Sequence, residues 1–175
     1  MCIEKMEIRR VSITDIEKVK RIGERTFLET FSSGNSKENM NAYLEKEFSM
    51  ETLKGELLDE NSEFYFVELE SQVVGYLKIN FGKSQTEIKD DNALEIERIY
   101  VLRTFYGKGV GQLLFGKAME IAKDRDVEYV WLGVWEHNPR AIRFYQKNGF
   151  SAFGKHIFKL GNDDQTDVLM KLELN

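Results

Sequence analysis

The chain has 175 residues, the size of one ordinary domain with a full core. Its net charge of −5 and pI near 5.3 exclude the basic face that a nucleic-acid partner needs, and they suit a cationic small substrate. Apolar content of 42% fits a globular domain with no membrane-spanning run and no secretory pattern, and a single cysteine, Cys2, excludes an internal disulfide framework and points to the cytoplasm.

In chain order, a first strand is expected near Glu7 to Val11. Thr14 and Glu17 form a capping box for a helix reaching Phe31. Ser36 and Ser49 are placed to cap two further helices. Phe64 to Glu70 and Gln72 to Phe81 read as a tight hairpin, followed by a polar loop, Gly82 to Asn92, expected to be mobile. Leu94 to Val101 alternates as a strand and runs into Tyr106-Gly107-Lys108-Gly109-Val110-Gly111. A helix follows, with Val110, Leu113, Leu114, Ala118, Ile121 and Ala122 on one face. Tyr129 to Trp135 is a short run of β-formers. Asn138 is a good N-cap, Pro139 fits the first helical position, and Gly149 is placed to end that helix. Ser151 to Leu160 and Thr166 to Leu174 close the chain as strands around the turn Gly161-Asn162-Asp163-Asp164. No repeat, low-complexity tract or linker interrupts it. Residues 1–175 therefore read as a single α/β (α+β) domain with a mixed sheet, not a doubly wound one.

The glycine loop carries the first chemical signal. Strand, glycine loop and helix turn a row of backbone N–H groups toward an anion, and the helix brings about half a positive charge at its N-terminus. A pyrophosphate is the expected guest; the bland alternative is a glycine-rich helix start without a ligand. The spacing Gly107-x-Gly109-x-Gly111 misses the dinucleotide fingerprint, and Tyr129-Val130-Trp131-Leu132 stands where an acidic residue would follow. Gly111 to Lys117 matches the start of a Walker loop, but Ala118 replaces the magnesium-binding hydroxyl.

Three segments together resemble the GCN5-related N-acetyltransferase superfamily. They are the strand Glu97-Arg98-Ile99-Tyr100-Val101, the loop Gly107 to Gly111, and Asn138-Pro139-x-Ala141-x-x-Phe144-Tyr145-x-Lys147-x-Gly149-Phe150. Tyr106 stands where that family usually has Gln or Arg. Further stretches look like the bacterial spermine/spermidine acetyltransferases of the Pai type: Thr26-Phe27-x-Glu29-Thr30-Phe31, Asn35 to Glu45, Trp131 to Glu136, and Gln165-Thr166-Asp167. The resemblance implies a mostly antiparallel mixed sheet flanked by helices, acetyl-CoA as co-substrate, and direct attack by a polyamine nitrogen. It implies coenzyme contacts from Ile99, Tyr100, Val101, Tyr106, Gly107, Lys108, Gly109, Val110, Gly111, Gln112, Asn138 and Lys147. It also implies a backbone donor for the oxyanion among Ile99 to Val101, and Tyr145 as the acid that protonates the departing sulfur.

The chemistry agrees on the acid, because a phenol keeps its proton at neutral pH. Glu97 is the candidate base; Glu95, two residues away on the same face of a regular strand, or a water chain are the alternatives. Glu29, Trp135 and Glu136 are candidates for receiving a cationic acceptor through carboxylate pairing and cation–π contact. His137 and His156 lack metal-ligand companions at useful spacing, so no metal is expected. Two other readings stay open: another amine as acceptor, or a regulatory protein that binds acetyl-CoA without turnover. Exposed strands at the closing hairpin would permit a homodimer.

Overall fold

Seven strands form one sheet in a computed structural model that describes residues 5–174; Cys2 lies outside the described residues. The strands are β1 (Met6–Arg10), β2 (Ser62–Leu69), β3 (Gln72–Phe81), β4 (Ala93–Val101), β5 (Tyr129–Trp135), β6 (Ser151–Leu160) and β7 (Asp163–Glu173). Their order is β1-β2-β3-β4-β5-β7-β6, and only β4 and β5 run parallel. The sheet is thus mixed and mostly antiparallel, as expected.

Five helices flank it: α1 (Ile16–Phe31), α2 (Lys37–Glu47), α3 (Met50–Leu58), α4 (Val110–Asp124) and α5 (Pro139–Lys147). One face of the sheet, with Leu94, Ile96, Leu132 and Val134, packs on α4 and α5. The other, with Phe64, Phe66 and Tyr76, packs on α1, α2 and α3.

Local rules explain most boundaries. Ser36 and Ser49 accept the backbone N–H of Asn39 and Thr52, each at 3.1 Å, and so cap α2 and α3. Glu70 and Ser71, at φ 49° and 67°, make the turn between β2 and β3. The expected box at Thr14 and Glu17 is not formed. A short 3₁₀ turn precedes α1 instead, with the Asp15 carboxylate accepting from the Ser12 N–H at 3.0 Å and Thr14 bonded to the Ser12 hydroxyl. The 82–92 loop is also tied down, against the expectation of mobility. Buried Gln85 accepts the Trp131 indole N–H at 2.7 Å and donates to the Asp90 carbonyl at 2.8 Å.

Two irregularities in β4 build the cleft. Lys78 pairs with Arg98 while Ile79 pairs with Ile96, so Glu97 is one residue too many in its strand. Ile96 before the bulge and Ile99 after it both face α4, which leaves Glu97 and Arg98 together on the opposite face. The second is a fork. The pairing of β4 with β5 ends at Ile96 and Leu132, so Glu97 to Val101 presents an unpaired edge to the gap.

Candidate active site

The fork opens into a cleft of about 1210 Å³, more than one ordinary ligand pocket needs. Gly107 and Gly109 at its edge take φ of +75° and +85°, a region that other residues enter only with strain. Gly109 is the N-cap of α4, and its carbonyl accepts the first intrahelical bond, from Leu113, at 3.1 Å. The N–H groups of Val110, Gly111 and Gln112 precede that bond and have no intrahelical acceptor. A Cβ on Gly107 would meet nothing within 4 Å, so the space over the loop is open. These groups form an anion cradle.

Side chains at the cradle divide. Tyr106 lines the cleft and carries the Arg140 guanidinium 3.7 Å above its ring. Arg140, Arg143 and Lys147 lie three and four residues apart on α5 and all line the cleft, a basic row facing an anion site. Gln112 reaches Asn148 at 3.3 Å. Lys108 departs from expectation: it lies outside the cleft lining, with its ammonium 5.4 Å from the Phe105 ring. Only its backbone remains in reach of the cradle. The Tyr100 side chain turns to the α1–α3 face, 6.2 Å from the Tyr76 ring. It leaves the strand edge to its backbone.

Tyr145 reaches the cleft from α5. Asn138 caps that helix by accepting the Ala141 N–H at 3.2 Å, so its oxygen is committed and its NH₂ is left for a ligand. At the other end Phe150 donates to the Tyr145 carbonyl and Gly149 to the Gln146 carbonyl, each at 3.0 Å, with Gly149 at φ +96°. This is a Schellman closure, sealed by the Tyr145 and Phe150 rings 5.7 Å apart. The tyrosine is thereby fixed at both backbone and ring. Burial raises its phenol above the usual range, so it holds its proton.

The opposite half of the cleft is rich in carboxylates, and most are taken. Glu97 is bonded by Lys78 Nζ at 2.7 Å and Asn80 Nδ2 at 2.8 Å, with Arg98 at 3.2 Å; Glu56 of α3 completes the cluster. Burial opposes its charge, but Arg98 and Lys78 outweigh that and hold it at about 2. A carboxylate so stabilised is a poor proton acceptor, which weighs against the base expected there. Glu95 accepts from Asn80 and Thr86, yet burial leaves it above the ordinary range. Glu29 lines the cleft but accepts the Arg103 N–H at 2.9 Å and pairs with Arg25 at 3.4 Å. Glu136 is exposed beyond the end of β5 and outside the cleft lining. Glu29 is thus engaged within the protein, and Glu136 stands outside the cleft. Trp135 does form a wall, its ring tilted 39° against Phe31 at 4.8 Å and its indole donating to Gln165 at 2.8 Å.

The sequence assigns no site role to Glu47, Asp167, Tyr43 or Tyr76, which also line this half. Burial lifts the Asp167 carboxyl to about 6, with His156 pulling it down and Glu87 pushing it up. No cluster of three His, Cys, Asp or Glu among the described residues is arranged to hold a metal.

An anion cradle, an open strand edge and a buried phenol around one forked sheet define a transferase that takes an extended, phosphorylated co-substrate. The acetyltransferase (GNAT) family model matches residues 21–150, and the chain belongs to that family. It is 41% identical, over 97% of its length and 98% of the relative's, to an uncharacterised N-acetyltransferase encoded in the pepI 3′ region of Lactobacillus delbrueckii subsp. lactis. It is 24% identical to a spermidine N(1)-acetyltransferase of Thermoplasma acidophilum, covering 95% of this chain and 96% of that one. The crystal structure of the PaiA N-acetyltransferase from T. acidophilum in complex with coenzyme A shares its fold, with a TM-score of 0.78, 22% identity and coverage of 96% and 98%. Acetyl-CoA is thus the co-substrate and an amine the acceptor.

The cradle fits the coenzyme diphosphate, and the open β4 edge fits its amide-bearing arm. Gly109→Ala strains the left-handed cap by about 1–2 kcal/mol. It is expected to weaken coenzyme A binding about tenfold in titration calorimetry. An unchanged affinity would mean that the phosphates bind elsewhere.

Proposed function

We propose that the protein acetylates a primary amine of spermidine or spermine. The carrying observation is a pair of cleft carboxylates, Glu47 and Asp167, without a hydrogen-bond or ion-pair partner among the described residues. Both line the same cleft, Glu47 from the end of α2 and Asp167 from β7. The Glu97 cluster is internally balanced, with Glu56 and Glu97 against Lys78 and Arg98, and adds little net field. Two separate unpaired anions suit an acceptor with more than one cationic nitrogen. In the same cleft Phe27 and Tyr43 stack 4.4 Å apart, and with Trp135 they offer apolar and π surface to a methylene chain. The likeness to a spermidine N(1)-acetyltransferase supports the same reading.

When bound, acetyl-CoA supplies a thioester carbonyl open to attack by an amine. The chain positions and stabilises. A backbone N–H of Ile99, Tyr100 or Val101 on the unpaired edge meets the carbonyl oxygen and needs no reorganisation. Tyr145, held protonated, donates to the departing sulfur. Arg140, Arg143, Lys147 and the cradle hold the phosphates.

Thiol release from acetyl-CoA, followed across spermine, spermidine, putrescine, lysine, aminoglycosides and a short peptide, tests this. Saturable turnover is expected with spermidine or spermine. Lysine, whose α-ammonium is offset by its own carboxylate, should lose about tenfold or more in kcat/KM. Turnover confined to another amine would overturn the polyamine acceptor. Coenzyme binding with no turnover on any amine would make the protein a binder rather than an enzyme.

A further inference from the structure

Asp167 occupies the middle of a row that crosses three strands. It pairs with Trp135 of β5 on one side and His156 of β6 on the other. Directly opposed residues on antiparallel strands hold their Cβ atoms about 4.5–5.5 Å apart on one face. A Cβ built on Gly133 would come within 3.1 Å of Asp167 Oδ2, so the missing side chain makes room for the carboxylate over β5, at the fork. The charged and titratable groups facing it are His156 from β6, Glu87 from the 82–92 loop, Tyr43 from α2 and Tyr100 from β4. Glu87 Oε2 lies 2.5 Å from His156 Nδ1. That contact sets Nδ1 as the N–H side of the ring and leaves Nε2 to accept. Glu97, Glu95 and Glu29 are held by cations or N–H donors, whereas Asp167 has no such partner among the described residues.

We infer that Asp167 takes the proton of the acceptor ammonium, and that His156, oriented by Glu87, carries that proton to solvent. This role rests on the amine-acetylation reading above. The ammonium N–H bond breaks, its electron pair stays on nitrogen as the nucleophile, and the proton moves to an Asp167 oxygen. His156 Nε2 then accepts the proton, which restores the carboxylate. The imidazolium sheds one proton to water at the cleft mouth, where the side chain is 42% exposed. A second ammonium proton replaces the one that Tyr145 gives to the departing sulfur. One proton is therefore released per acetyl group transferred. Asp167 touches substrate in this scheme; His156 and Glu87 act through it.

Full-length wild type, Asp167→Asn and His156→Gln are compared on whichever panel amine the wild type acetylates. The wild-type kcat/KM should rise through an acid limb near the Asp167 value of about 6. Asp167→Asn should abolish that limb and lower kcat roughly 100-fold. Retained coenzyme A affinity shows that this variant is folded. His156→Gln removes a neighbour that favours the charged carboxylate, so it should shift the limb upward, with part of the rate restored by added imidazole. The Asp167 carboxyl signal, titrated by ¹³C NMR without turnover, should show the same upward shift. Superimposable pH profiles for Asp167→Asn and wild type would overturn this role and leave the activity standing. Failure of the wild type on every amine would overturn role and activity together.

Discussion

Tyr145→Phe is expected to lower kcat roughly 10³-fold while leaving coenzyme A affinity within about twofold. The variant loses one oxygen and keeps the ring. That ring sits between Phe144 at 5.5 Å and Phe150 at 5.7 Å, and the Schellman closure holds the backbone independently of the hydroxyl. The cost in stability should be about 1 kcal/mol or less. What disappears is a donor whose proton is retained because burial disfavours the phenolate. Steady-state kinetics paired with calorimetry makes the test. A kcat within tenfold of wild type would mean that the sulfur leaves without this proton, or takes it from water.

Glu97→Gln should show the largest loss of stability, about 3 kcal/mol or more, because it strands two buried cations with Glu56 as their remaining carboxylate. For a chain of this length that corresponds to a melting temperature lower by about 10 °C. The pH dependence carries a sign. Glu97 falls from an ordinary value of 4.5 to about 2 on folding, so its contribution is complete above the unfolded value and declines as pH drops toward the folded one. Wild-type stability should therefore fall across that acid window, and the Glu97→Gln curve should be flatter there. A Tm within about 2 °C of wild type would show that the cluster is worth no more than a surface pair.

What could be read from the sequence follows the range of the interactions involved. Caps at Ser36, Ser49 and Asn138, the turn after Leu69 and the Gly149 terminus depend on neighbours within five residues, and they stand in the fold where the residue types put them. The glycine loop and the helix it opens are one continuous stretch, so the anion cradle is legible. In the basic row of α5, Lys147 is expected from the sequence, whereas Arg140 and Arg143, equally legible by helical spacing, are added by the structure. The acceptor side joins α1, α2, β5 and β7, and no local pattern says which acid there will be neutralised. Glu97 and Asp167 are alike in sequence. A bulge delivers one to Lys78 and Arg98, while a glycine clears a space for the other. In the same way Arg103, far along the chain, engages the Glu29 carboxylate.

The fork between β4 and β5 also makes the sheet mechanically uneven. Four rungs fasten the β1–β4 half to the β5–β7 half, against seven between β3 and β4 and seven between β5 and β7. The seam is the compliant part of an otherwise stiff plate. An extended amide-bearing chain wedged into the gap supplies the missing rungs from outside the polypeptide. Loading the co-substrate and bracing the two halves against each other are then one event, and the rigidity needed to align an amine with its target arrives only with the molecule that carries that target.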